Sequence, residues 1–310
     1  MAKRSRPLDF GVYLLVRIVV AIIQALPWRP ALTLADALAS LMFRVDRRHR
    51  LVAFDNLRLS FPELDEAALR RRVFATYRHH ALVLVEMIRL PRLLHRSNME
   101  RYVRYADPAD FDRVIGWVKT GRPLMALTGH FGNWEILSYV IGLFGTKAAV
   151  VARRLDNPYL DHYVGVFRQK TGMRILDKNR DYERIQQTLA GGGHLGMVGD
   201  QDAGARGVFV DFFGRPASTF KSIALLSLTY SVPILVMGAA RVSVPLGYRI
   251  YLEDVILPEH FVGHPDAIRA ITQRYTAALE RMVRRHPEQY FWLHRRWKHA
   301  PPVRKGQKAA

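Results

Sequence analysis

The sequence contains no cysteine, which excludes disulfide bonds and cysteine-ligated zinc sites. Acidic residues are scarce, with 27 Asp and Glu against 47 Lys and Arg, so the formal net charge is +20. No glycine-serine linker, proline-rich linker or internal repeat interrupts residues 50–298. The sequence also lacks a G-x-S-x-G nucleophile elbow, so no residue pattern indicates a covalent intermediate on the protein.

Length and composition favour one large domain with a helical extension before it. The chain has 310 residues, 49% of them hydrophobic, which is enough to bury a large core. We predict a membrane-anchoring or interfacial helix within residues 1–30, the main domain over residues 31–299, and a loose basic tail over residues 300–310.

The excess of positive charge requires an acidic partner. Basic residues are concentrated at positions 3–6, 44–50, 70–72 and 281–308. A positive field of this kind attracts both nucleic acid and anionic lipid head groups. No helix-turn-helix, zinc-finger or RNA-recognition signature accompanies the charge. We therefore predict a membrane surface, and not nucleic acid, as the partner.

Residues 10–26 form an apolar stretch in which only Arg17 and Gln24 are strongly polar. Its length is at the lower limit for spanning a bilayer. Arg17 at the bilayer centre would cost about 2.5–3.5 kcal/mol, so a helix lying in the head-group plane fits as well as a spanning one. An ordinary buried core helix is the remaining alternative. No small-residue cleavage site follows, which argues against a secretory signal peptide.

Hydrophobic periodicity predicts strands that alternate with helices. A long helix covers residues 69–88, and Ser60 with Glu63 matches a capping box at its start. The alternation predicts an α/β fold with a mostly parallel sheet flanked by helices. The predicted strands are at residues 123–128, 148–152, 174–176, 195–198, 233–239 and 248–253.

The segment G-H-F-G-N-W-E at residues 129–135 follows the first of these strands directly and leads into a helix that begins near Asn133. His130 is therefore predicted at the carboxyl edge of the sheet, where α/β proteins bind ligands. A histidine there can take a proton from a hydroxyl, and Glu135 could fix its tautomer by reaching back from the first helical turn. In the alternative interpretation, His130 caps the turn and Glu135 only complements the helix dipole.

Residues 129–135 resemble the H-x4-D/E block of the lysophospholipid acyltransferase superfamily, and more closely its bacterial lipid A biosynthesis branch. Four further segments resemble blocks of that branch and occur in the same order. Several ordered blocks are far more specific than one short motif. These segments are residues 56–63, 153–158, 200–214 and 287–297.

The resemblance implies transfer of a fatty acyl group from a thioester, usually acyl carrier protein or else acyl-CoA, to a hydroxyl of a membrane glycolipid. It also implies an inner-membrane enzyme whose catalytic domain faces the cytoplasm. His130 would be the base and Glu135 its orienting acid, and the turn containing Gly132 and Asn133 supplies candidate amides for the oxyanion. No cofactor is implied. A lysophospholipid, mannosylated glycolipid or aminolipid acceptor stays open, as does a non-catalytic basic membrane-binding protein.

Arg154 and Arg206 lie in the second and third of these segments and are candidates to hold an anionic head group. Either arginine can equally be a solvated surface residue. Asp200 can orient one of the arginines or cap its own loop. No metal site is predicted, because the pair His79-His80 has no third ligand in view. Apolar residues that can line an acyl tunnel are Phe131, Trp134, Phe209, Phe212 and Phe213.

The sequence departs from the family pattern at Asp211, where proline is common, and at Lys221, where small residues are common. Neither departure involves His130 or Glu135.

Overall fold

The computed structural model describes residues 5–143, 148–169, 172–178 and 180–302. Within these residues, five helices precede the first strand, and most of the predicted basic tail, residues 303–310, lies outside the described residues. Helices and strands then alternate, as the periodicity predicts. The helices are α1 (Arg6–Ala25), α2 (Trp28–Val45), α3 (Arg47–Ser60), α4 (Glu66–Leu93), α5 (Met99–Tyr102), α6 (Pro108–Lys119), α7 (Trp134–Leu143), α8 (Pro158–Gln169), α9 (Tyr182–Ala190), α10 (Ser222–Tyr230) and α11 (Ala267–Arg285).

Within the described residues, seven strands form one sheet in the order β1-β9-β8-β2-β5-β3-β4. Neighbouring strands are parallel except for β8 and β9, which pair antiparallel. Strands β6 and β7 form a separate antiparallel hairpin. The strands are β1 (Val103–Tyr105), β2 (Met125–Thr128), β3 (Ala148–Ala152), β4 (Arg174–Asp177), β5 (His194–Val198), β6 (Val208–Phe212), β7 (Arg215–Thr219), β8 (Ile234–Ser243) and β9 (Gly247–Ile256).

The predicted α/β class with a mostly parallel sheet is confirmed, and each of the predicted strands is present with small differences at its ends. The hairpin β6–β7 and the short strand β1 were not predicted. The capping-box prediction was wrong, because α3 continues to Ser60 and α4 begins only at Glu66. The carboxylate of Asp65 caps α4 by accepting a hydrogen bond from the amide of Ala68.

Two apolar clusters cover the two faces of the sheet. One joins Leu127, Leu195 and Ile223 to α11, and the other joins Leu124, Leu137 and the facing side of β8. Side chains alternate along each strand, so successive residues of β2 supply opposite clusters. The central strands β2 and β5 are therefore fixed from both sides, and the turns at their carboxyl ends start from rigid positions.

Helix α1 differs from the core helices because most of its surface is exposed. It is long and apolar enough to cross a membrane, and 11% of its most apolar window is buried. Two of its polar side chains nevertheless contact other helices: Gln24 donates to the carbonyl of Ile88 on α4 at 2.9 Å, and the Arg17 guanidinium lies 5.0 Å from the centroid of the Tyr163 ring on α8. Asn157 also donates to the carbonyl of Asp9 at 2.8 Å. The helix therefore lies along the domain while it exposes a row of large apolar side chains.

Candidate active site

The turn between β2 and α7 carries the first group of candidate residues. Asn133 caps α7 by accepting a hydrogen bond from the amide of Ile136 at 3.1 Å. The turn pairs with two neighbours, through bridges from Phe131 to Tyr290 and from Gly132 to Ala239. His130 is consequently held at the carboxyl edge of the sheet, where the sequence predicts it.

Gly132 allows the turn to approach β8 closely. Its φ angle is +56°, and a Cβ atom here would lie 1.9 Å from the carbonyl oxygen of Ala239. Its amide donates to the carbonyl of Gln289 at 2.9 Å, and its carbonyl accepts from Nε2 of His79 at 3.0 Å. Burial lowers the pKa of His79 well below its ordinary value, so the ring is a neutral donor. A side chain at position 132 would push the turn away from these partners.

Three backbone amides of the turn are already occupied within the protein. His130 N donates to Asp200 Oδ2 at 2.7 Å, Gly132 N to Gln289, and Asn133 N to the carbonyl of Ala239 at 2.9 Å. The side-chain amide of Asn133 is buried and donates to the hydroxyl of Tyr248 at 3.2 Å. The predicted substrate-binding roles of Gly132 and Asn133 are therefore corrected: both residues build the turn and have no amide free for an oxyanion.

Behind the turn, a buried polar network fixes α4 to β8 and β9. The carboxylate of Glu86, which is 0% exposed, accepts hydrogen bonds from the Arg241 guanidinium and the Tyr248 hydroxyl. The side chain of Gln289 makes two hydrogen bonds to the backbone of Arg241: its Oε1 accepts from the Arg241 amide, and its Nε2 donates to the Arg241 carbonyl. Buried polar groups paired in this way define one arrangement of the core. The network thereby positions the Gln289 carbonyl that holds Gly132.

His130 is paired with Asp200. Its Nδ1 lies 2.7 Å from Asp200 Oδ1, and the side chains are 22% and 4% exposed. Burial alone would lower the pKa of His130, but the charge and hydrogen bond of Asp200, with the charge of Glu135, raise it above its ordinary value. Burial conversely raises the pKa of Asp200, while His130 and the charge of Arg296 lower it below its ordinary value. Asp200 is thus an ionised acceptor that keeps the proton of a neutral His130 on Nδ1, so the lone pair of the ring is on Nε2.

The acid that fixes His130 is therefore not Glu135. The carboxylate of Glu135 pairs with Arg168, whose Nε lies 3.0 Å from Glu135 Oε2 and whose Nη2 binds the other oxygen. Glu135 is on the first turn of α7 and points toward α8, because residues five apart on this turn and helix do not face each other. Asp200 follows β5, which lies beside β2 in the sheet. The suggestion that Asp200 orients an arginine is corrected accordingly.

His130 lines a cavity of about 460 Å³ that extends beside the sheet. Trp134 and Phe291 surround its ring, with centroid distances of 5.0 and 6.1 Å. The side-chain amide of Gln201 lies 3.5 Å from His130 Nε2 and also lines the cavity. Sequence reasoning gave no role to Gln201, although it stands directly after Asp200. Of the aromatic residues predicted to line a tunnel, only Trp134 lines this cavity.

Arg154 and Arg206 are both exposed, and neither lines the cavity. The cations that do line it are Arg153, Arg168 and Lys178. The ammonium of Lys178 lies 5.8 Å from the centroid of the Phe220 ring. Within the part of the chain that the structure describes, no group of three or more His, Asp or Glu side chains is arranged to hold a metal ion.

The arrangement brings together groups of the kind that acyl transfer requires: an imidazole, a carboxylate that orients it, an amide donor beside the ring and an apolar cavity. The family model for bacterial lipid A biosynthesis acyltransferases matches residues 1–299.

Among curated relatives, the lipid A biosynthesis lauroyltransferase of Escherichia coli K12 is 24% identical over 91% of this chain and 90% of its own length. The palmitoleoyltransferase of the same organism is 24% identical over 82% of this chain and 80% of its own length. The phosphatidylinositol mannoside acyltransferase of Mycobacterium tuberculosis is 21% identical over 68% of this chain and 66% of its own length.

Proposed function

Because this chain belongs to the bacterial lipid A biosynthesis acyltransferase family, and is therefore an acyltransferase, we propose that it acylates a hydroxyl of a lipid A-type glycolipid. The proposed donor is a fatty acyl thioester, on acyl carrier protein or coenzyme A. The observation that carries the proposal is the His130–Asp200 pair beside an apolar cavity.

In the proposed reaction, Nε2 of His130 removes the proton of the acceptor hydroxyl while the oxygen attacks the thioester carbonyl carbon. The carbonyl oxygen becomes an oxyanion, and the side-chain amide of Gln201 is the nearest side-chain donor to Nε2 that can stabilise it. When the tetrahedral intermediate collapses, the carbon–sulfur bond breaks and the thiolate takes the proton from His130. The products are an ester and a free thiol, and Asp200 stays ionised throughout.

Anionic groups of the substrates would be held at the cavity by Arg153 and Lys178, which line it, and not by Arg154 and Arg206, which do not. The planar Arg153 guanidinium can bind a phosphate in a bidentate way, and Lys178 adds a compact charge. Arg168 is paired with Glu135, and in the proposed site this ion pair braces α7 against α8 beside His130.

The proposed location is the inner membrane, with the catalytic domain on its cytoplasmic face. The exposed apolar side chains of α1 support membrane contact: Leu8, Leu15 and Ile18 are each more than half exposed. Because Gln24 and Asn157 tie α1 along the domain, we propose that it lies in the head-group region and does not cross the bilayer. Retention on vesicles in high salt would distinguish this apolar contact from purely electrostatic binding by the basic surface.

The test is to incubate purified protein with labelled acyl carrier protein thioester or acyl-CoA and a panel of acceptor lipids. Mass spectrometry of the lipid products is expected to show one added acyl group on a lipid A precursor. The runner-up is a mannosylated glycolipid, supported by the resemblance to the Mycobacterium tuberculosis relative. A folded protein that transfers no acyl group to any lipid, from either donor, would refute the proposal.

A further inference from the structure

The cavity beside His130 is lined from both faces of the sheet, and on one of these faces the lining residues run from the carboxyl edge to the amino edge. Thr128 of β2 pairs with Val198 of β5 in register, and every second residue of a strand shares a face. On this face, both strands contribute cavity-lining positions along their whole length. These positions are Thr128, Ala126 and Leu124 on one side, and Val198, Gly196 and His194 on the other.

Small residues open this path at its middle. Ala126 pairs with Gly196, and Gly196 pairs with Val150 on the other side. A Cβ atom at Gly196 would lie 3.3 Å from a methyl group of Val150, which is a side-chain atom. Neighbouring backbone atoms therefore do not require a glycine at this position. A glycine inside a strand often marks a place where a ligand approaches the backbone. The helices that close the path contribute Val118 and Leu137, among other apolar residues.

His194 stands at the far end of this path and differs from its apolar surroundings. It is 9% exposed and pairs in register with Ala148, the first residue of β3. Its Nδ1 is buried and has no hydrogen-bond partner among the described residues. Burial lowers the pKa of His194, so the ring is neutral. An unpaired buried polar atom is unfavourable, so its presence in an apolar cavity requires an explanation.

The distance along the strand limits the length of chain that fits. The step from Val198 to His194 corresponds to roughly 13 Å at about 3.3 Å per residue. An extended hydrocarbon with bonds of about 1.5 Å advances about 1.3 Å per carbon, so about ten methylene groups fill this distance. The carbonyl carbon and its neighbour, level with His130, bring the total to about twelve carbons.

We propose that His194 forms the floor of the acyl channel and limits the transferred chain to about twelve carbons. The inference rests on the proposed function, because the channel ends beside the base that would attack the acyl thioester. The imidazole ring occupies the position that the next methylene groups of a longer chain would need. Its Nδ1, which has no hydrogen-bond partner among the described residues, is polar. A methyl terminus that packs against this atom gains no favourable free energy of transfer.

The test compares His194→Ala with His194→Phe in acyl transfer from a series of thioesters with 8 to 18 carbons. The alanine variant is expected to accept chains longer by about two to four carbons, because most of the ring is removed. The phenylalanine variant keeps the bulk without the nitrogen and is expected to keep the length preference of the unaltered protein. The third variant, Gly196→Leu, fills the middle of the channel and is expected to shorten the preferred chain.

A binding titration separates this inference from the proposed function. Free saturated fatty acids are titrated while tryptophan fluorescence is followed, since Trp134 lines the same cavity. In the unaltered protein, affinity is expected to rise about fourfold per added methylene and to stop rising near twelve carbons. In His194→Ala, the rise is expected to continue beyond that length.

If the protein transfers no acyl group but shows this binding profile, the proposed function is refuted, while the assignment of the cavity as a channel for a hydrocarbon chain still holds. An unchanged length limit in a folded His194→Ala variant, in transfer or in binding, would refute the role of His194. If the alanine variant fails to fold, an unchanged limit in Gly196→Leu would overturn the assignment of the channel.

Discussion

Two histidine–aspartate pairs have the same distance between ring nitrogen and carboxylate, and their aspartates are two residues apart, yet the pairs have different surroundings. In both pairs, Nδ1 of the histidine lies 2.7 Å from a carboxylate oxygen: His130 with Asp200, and His299 with Asp202. The aspartate side chains are 4% and 7% exposed. His130 lines the cavity, whereas neither His299 nor Asp202 does. The comparison teaches that the pair alone does not define a base, because a base also needs a free nitrogen facing substrate.

The second pair instead fastens the chain near its C-terminal end. The amide of Asp202 donates to Nε2 of His294 at 3.0 Å, and the carboxylate of Asp202 binds His299. Asn56 of α3 donates to the carbonyls of Trp292 and His294, both at 2.8 Å. These contacts hold residues 292–299 against α3 and against the loop after β5. The first pair thus faces the cavity, and the second holds the loop from which Asp200 projects.

Among variants that test the difference between the two pairs, His130→Ala is expected to have the largest effect on acyl transfer. Acyl transfer should fall by a factor of about 10² to 10⁴, because the base is lost while the cavity stays. The measurement is kcat/KM for acyl transfer, with circular dichroism to verify folding. Full activity in this variant would eliminate His130 as the base.

Asp200→Asn is expected to have the next largest effect. The proposed reaction requires neutral His130, and the carboxylate of Asp200 raises the pKa of that ring, so activity in the unaltered protein is expected to fall as pH drops through a value above about 6.5. Without the carboxylate charge, burial lowers the pKa, and the acid limb of kcat/KM should move to lower pH. The plateau should also fall, because an amide fixes the tautomer less well.

Glu135→Gln is the matched control for Asp200→Asn. It removes a charge that raises the pKa of His130 but contributes less than Asp200, so the acid limb should shift in the same direction by a smaller amount. The plateau should fall by no more than about tenfold, since Asp200 still orients the ring. A larger loss than in Asp200→Asn would restore the orienting role that the sequence motif predicts for Glu135.

The smallest effect is expected from His299→Gln. Acyl transfer per folded molecule should change by less than about threefold, while the free energy of unfolding should fall by about 1 kcal/mol from the lost hydrogen bond. Denaturant titration and the transfer assay measure the two quantities separately. A loss of activity comparable to that of His130→Ala would break the comparison, because it would place both pairs in the chemistry.

The sequence was sufficient to predict the sheet class, the strand before His130 and the helix capped by Asn133, since these depend on local periodicity and capping. Asn157 caps α8 in the same local way, because it accepts hydrogen bonds from the amides of Tyr159 and Leu160. Local rules suffice for such features because the interacting atoms lie within one turn of chain.

The partner of His130 could not be predicted, because it depends on which strands are neighbours. Asp200 is 70 positions away along the chain and meets His130 only because β5 pairs with β2. One available signal was that His130 and Asp200 each come within two residues of the end of a predicted strand. The motif at residues 129–135 favours Glu135, which is near His130 in sequence. Its partner Arg168 could not be anticipated, since the relative position of α7 and α8 depends on tertiary packing.

Helix α8 connects two distant features of the molecule. Asn157, immediately before it, holds the carbonyl of Asp9 at the start of α1, and Arg168 near its other end holds Glu135 beside the catalytic turn. With α1 resting on a bilayer, as proposed, α8 acts as a spacer of fixed length between the lipid and the reactive histidine. The distance that an acceptor lipid must move out of its leaflet to reach His130 is then fixed by the structure of the protein. It does not vary with how deeply each protein molecule inserts into the bilayer.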